Sequence, residues 1–83
     1  MTEDLFRKKL LYRSLHRGCK ETDLILGSFA TKHIHNMTAE ELQEWEAILN
    51  HTDSDIVSWV MGRAEVPAAL QSSVMKGFLR AHN

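Results

Sequence analysis

Met37-Thr38-Ala39-Glu40-Glu41-Leu42 is the stretch that decides the fold class of this chain. Thr38 stands where a helix N-cap accepts from a backbone N–H, and Glu41 stands three residues on, where it can reach back to the cap. Met37 before the cap and Leu42 after it can close a hydrophobic staple. A helix therefore starts at Thr38. Leu42, Trp45, Ile48 and Leu49 form its apolar face, with Glu40, Glu44 and Glu46 toward water.

Reading toward the C-terminus, a fourth helix begins near Thr52-Asp53-Ser54-Asp55, several of which suit an N-cap. Ile56, Trp59 and Val60 are its apolar stripe, and Gly62 is placed to end it. A fifth opens at Pro67, which suits a first helical turn. Leu70, Val74 and Phe78 recur every four residues, with Leu79 alongside.

Toward the N-terminus, the spacing of Thr22, Leu26, Phe29, Ala30 and His33, broadened by Ile25, predicts a helix over 20–33. Another is predicted over 2–17. There Leu11 and Leu15, widened by Leu5, Phe6 and Leu10, face inward, while Arg7, Lys8, Lys9 and Arg13 stay wet. Gly18 can end it in a left-handed cap. No segment alternates as a strand. The breaks are short, so the 83 residues read as an all-α, compact five-helix bundle and a single domain over 1–83.

Net charge is −1, yet the charge is polarised. Residues 1–20 carry +4, residues 21–65 carry −7 and residues 66–83 carry +2. Such a molecule suits a charged protein surface better than nucleic acid, which normally selects a net basic domain. No apolar run approaches the roughly 18 residues of a membrane span. The charged opening (Glu3, Asp4, Arg7, Lys8, Lys9) leads us to expect no signal peptide, and one cysteine fits a reducing compartment. We expect a cytoplasmic protein without membrane insertion.

The chain offers little that suits catalysis. Ser14 and His16 are two apart on a helix and point to different faces. Cys19 could be a nucleophile with Lys20 and Arg17 lowering its pKa, or a small thiol at a turn. His33 and His35, even with His51, lack a standard zinc spacing. The glycines at 18, 27, 62 and 77 are isolated, so no phosphate loop is expected. Phe29, Trp45 and Trp59 lie on apolar stripes and read as core.

Arg17-Gly18-Cys19-Lys20-Glu21 remains. It has a glycine that lets another backbone approach, flanked by one cation and one carboxylate. It also reads as a plain helix stop followed by a first-turn acid. With its surroundings, Leu10-Leu11-Tyr12-Arg13-Ser14-Leu15-His16-Arg17-Gly18-Cys19-Lys20-Glu21-Thr22-Asp23, it closely resembles the start of the succinate dehydrogenase assembly factors, the FAD assembly factors. Their signature is R-G-x-x-E followed by an acidic position, which Asp23 fills. Ile48-Leu49, Asp53 and Asp55, and Ile56-Val57-Ser58-Trp59-Val60-Met61 are also similar to the family pattern, so the resemblance covers about residues 5–80.

The resemblance implies a helical bundle that binds the flavoprotein subunit of succinate dehydrogenase or fumarate reductase and promotes covalent attachment of FAD to it. The factor itself would be no enzyme. FAD would be attached to the partner, and this chain would hold no cofactor tightly. By the family pattern Arg17, Gly18 and Glu21 lie in the contact surface, with Asp23 beside them. Cys19 stands where family members often carry methionine, which favours the thiol's plain role. A monomer is expected. The missing leader suggests a bacterial member, although Leu10-Leu11-Tyr12 is similar to the mitochondrial branch. An antitoxin-like regulatory module and a small nucleic-acid-binding helical protein are the competing readings.

Overall fold

The capping box closes as its sequence requires. In a computed structural model that describes residues 2–82, Thr38 Oγ1 accepts from the Glu41 N–H (3.1 Å) and Glu41 Oε1 accepts from the Thr38 N–H (2.9 Å). Among the described residues there are five α-helices and no strand: α1 Thr2–Leu15, α2 Lys20–His33, α3 Ala39–Leu49, α4 Asp53–Val60 and α5 Ser73–Ala81. Single 3-10 turns at Ile34–Asn36 and Ala68–Leu70 precede α3 and α5.

The other helix ends are set by equally local chemistry. Thr52 caps α4 by accepting from the Asp55 N–H (3.1 Å). Gly62, at φ +74°, ends it: the Arg63 N–H reaches back to Ser58 O (2.8 Å) and the Gly62 N–H to Trp59 O (3.2 Å). This is the double bond pattern that a left-handed glycine makes possible. The fifth helix starts later than Pro67. Pro67 has ψ 145°, which is not helical, and a 3-10 turn intervenes before Ser72 accepts from the Met75 N–H and caps α5.

Phe29, Trp45 and Phe78 bring α2, α3 and α5 together, with ring centroids 5.2–5.4 Å apart and both Phe78 contacts edge-on. Such aromatic pairs add about 0.5–1.5 kcal/mol beyond their buried area. Trp45 is fully buried, and its indole N–H donates to Ser14 Oγ (3.0 Å), which in turn donates to Leu10 O (2.7 Å).

That bond rotates α1 away from its expected posture. Leu10 and Ser14 are its buried positions, whereas Leu5 and Leu15, expected inside, are exposed. Arg7, expected in water, is drawn in to donate to Ile34 O and Met37 O, the second at 2.9 Å. These carbonyls lie at the α2–α3 connection, where Ile34 O also accepts from the Met37 N–H (3.3 Å). His33, expected on the inner face of α2, is exposed, and Glu44 is half-buried rather than facing water.

Candidate functional site: the turn between the first two helices

The chain leaves α1 two residues before the expected Arg17. The His16 N–H still bonds Tyr12 O (3.0 Å), but the Arg17 N–H turns to Asp23 Oδ1 (2.6 Å). Gly18 follows at φ +94°, a conformation that L side chains rarely adopt. Cys19 is the extended N-cap of α2, and Thr22, fully buried, donates its hydroxyl to Cys19 O (3.2 Å). Glu21 and Asp23 lie in the first turn of α2, where the helix dipole favours anions.

The R-G-x-x-E residues point in two directions. Arg17 runs inward: its Nε donates to Asp53 Oδ1 (2.6 Å), Nη1 to Leu49 O (2.8 Å) and Nη2 to His51 O (2.6 Å). Its side chain is only 14% exposed. Leu49 O closes α3 and Asp53 opens α4, so one guanidinium ties the first interhelical turn to the third. A cation is favourable at both places, against the unsatisfied carbonyls of one helix and a carboxylate of the next. Asp23 is likewise engaged internally, on the Arg17 backbone.

Gly18 and Glu21 face outward. Both are exposed, and a Cβ built on Gly18 would meet nothing within 4 Å. Leu24, three residues beyond Glu21 on the same helical face, is 72% exposed. The patch is thus a side-chain-free turn, an anion and an apolar group on a rigid mount. Sequence reading left Leu24 and the Arg17–Asp53 bond unassigned. Leu24 is an apolar residue lying off the stripe of Thr22, Leu26, Phe29 and Ala30, which marks it in the sequence; nothing in sequence spacing signals the second, which spans 36 positions.

The remaining candidates lie elsewhere. Ser14 is buried under Trp45, while His16 is exposed and stacks on Tyr12 at 4.3 Å. The Cys19 thiol is held below its ordinary pKa, first by the Thr22 backbone N–H, then by the Thr22 hydroxyl and the Glu21 N–H; Lys20 and Arg17 are not the cause. Among the described residues no three His, Cys, Asp or Glu side chains converge to hold a metal ion, and no helix is long and apolar enough to cross a membrane.

Among the described residues the protein is a small all-α bundle whose α1–α2 turn presents Gly18 and Glu21 at the surface. The chain belongs to the Sdh5 family, described as the flavinator of succinate dehydrogenase, whose model matches residues 8–83. It is 47% identical over 70 residues to the mitochondrial succinate dehydrogenase assembly factor 2 of Dictyostelium discoideum, covering 84% of this chain and 50% of that protein. Its identity to the protein of that name from Candida glabrata is 53% over 57 residues, covering 69% of this chain and 37% of the relative. A bacterial relative, the FAD assembly factor SdhE of Acetobacter pasteurianus, is 41% identical over 61 residues, covering 74% and 56%. The chain therefore spans about half or less of the length of most of the curated relatives it matches. No solved structure matches it significantly.

Proposed function

We propose that this chain binds the flavoprotein subunit of succinate dehydrogenase, or of the related fumarate reductase, and promotes covalent attachment of FAD to that subunit. The exposed turn at Gly18 and Glu21 carries this reading. It is the part of the R-G-x-x-E set that presents unobstructed backbone and a free carboxylate, in a family whose members are named as assembly factors. Arg17 and Asp23 belong to the same contact surface from its inner side. Leu24 adds the apolar element that a protein interface uses at its centre.

The chain acts by binding and contributes no reacting group. The flavin and the residue it joins both belong to the partner, and docking holds the partner's mobile parts so that the two stay aligned. Positioning of this kind can supply several kcal/mol of barrier reduction without chemistry on the helper. The chain works as a monomer in a reducing compartment such as the bacterial cytoplasm, and holds no FAD of its own.

The test is co-expression with the flavoprotein, with covalent flavin read as in-gel fluorescence after denaturation. Wild type should raise the signal, and Gly18→Arg and Glu21→Ala should lose it while remaining helical by circular dichroism. A signal independent of all three would overturn the proposal.

A further inference from the structure

Arg17 lies within the family's contact signature, yet its side chain is only 14% exposed and three of its five guanidinium N–H groups, one each from Nε, Nη1 and Nη2, donate inside the fold. We infer that Arg17 and Asp53 form an internal clamp that sets the posture of the Gly18–Glu21 turn, making Asp53 a positioning residue for docking. This rests on the docking role proposed above.

The geometry explains why both residues are needed. The α1–α2 connection contains a glycine, the least restrained residue for backbone motion. Four bonds from Arg17 hold it: the backbone N–H on Asp23, and the side chain across to Asp53 Oδ1, Leu49 O and His51 O at the α3–α4 connection. Asp53 is itself fixed, since it opens α4 directly after its Thr52 cap. Removing either end of the clamp leaves Gly18 between two helices with one restraint fewer. The guanidinium fork reaches three acceptors lying in different directions, which the single ammonium of lysine cannot imitate. Asp55 supplies an internal control. It sits in the same first turn of α4 and contributes the same helix-dipole charge, but it is exposed and faces His51 at 3.7 Å rather than Arg17.

The deciding experiment compares wild type, Asp53→Ala, Arg17→Lys, their double variant and Asp55→Ala in two measurements. One is amide hydrogen exchange of the free chain at Arg17 and Asp23; the other is affinity for the isolated succinate dehydrogenase flavoprotein. Asp53→Ala and Arg17→Lys should each speed exchange at the turn and weaken binding about tenfold, the scale of one charge-assisted hydrogen bond. The double variant should be no worse than Arg17→Lys alone, because the Asp53 bond is already lost with the guanidinium fork. Asp55→Ala should change neither reading. Wild-type affinity in Asp53→Ala, full rescue by Arg17→Lys, or equal losses in Asp53→Ala and Asp55→Ala would overturn the clamp while leaving the docking role standing. Failure of the wild type to bind would overturn the docking role itself, and the clamp's part in it.

Discussion

The indole N–H of Trp45 on α3 donates to the hydroxyl of Ser14 on α1 across 3.0 Å of fully buried interior. A polar residue is thus the most buried position of the first helix. Ser14→Ala should destabilise the chain by about 1–3 kcal/mol, because it leaves the indole donor buried without a partner. Combining it with Trp45→Phe should cost less than the sum of the two single changes, as judged by urea unfolding.

Gly18 separates conformational strain from obstruction. Gly18→Ala places a Cβ in open space but at φ +94°, so it should cost about 1–2 kcal/mol of stability. Gly18→Asn should cost less, since asparagine tolerates left-handed conformations better. Gly18→Arg should match Gly18→Ala in thermal unfolding, yet lose flavinylation that Gly18→Ala retains. Equal flavinylation by the two would show that no partner surface approaches this turn.

Glu21 and Leu24 are expected to matter to a partner and little to the fold. Glu21→Ala removes one favourable first-turn charge, worth about 0.3–1 kcal/mol. Leu24→Ser removes a side chain that is 72% exposed and should shift urea midpoints by even less. Both should lower flavoprotein binding measured by titration calorimetry. Wild-type affinity in both variants would remove this face of α2 from the interface.

The thiol of Cys19 should react with iodoacetamide at lower pH in the folded chain than in urea, because hydrogen bonds from Thr22 and Glu21 favour the thiolate. The linked sign follows: a depressed folded pKa contributes stability that is fully present above the unfolded pKa and is lost as pH falls through the folded value. Cys19→Ser should abolish alkylation and leave flavinylation intact, as expected of a residue whose role is confined to the turn.

Local chemistry made much of the architecture legible. The Thr38–Glu41 box and the Gly62 stop appear where their residues place them, since each depends on groups within a few positions. α5 starts at Ser73, six residues after the predicted Pro67, because Pro67 has a non-helical backbone and Ser72 supplies the cap. The inner face of α1 departs from its apolar spacing for a different reason. Apolar spacing cannot weigh Ser14 against Leu15 when the deciding partner, Trp45, is 31 positions away.

By itself, the sequence determined the all-helical class, the order of five helices, the glycine turn and the R-G-x-x-E string of Arg17, Gly18 and Glu21, with Asp23 following. All of these rest on neighbours in the chain or on a recognisable string of residues. Only the tertiary structure decided that this string is divided, with Gly18 and Glu21 outward and Arg17 bound to Asp53, Leu49 O and His51 O. The physical reason is that a guanidinium settles where unpaired carbonyls and a carboxylate converge. That convergence exists only once α3 and α4 have packed beside the first turn.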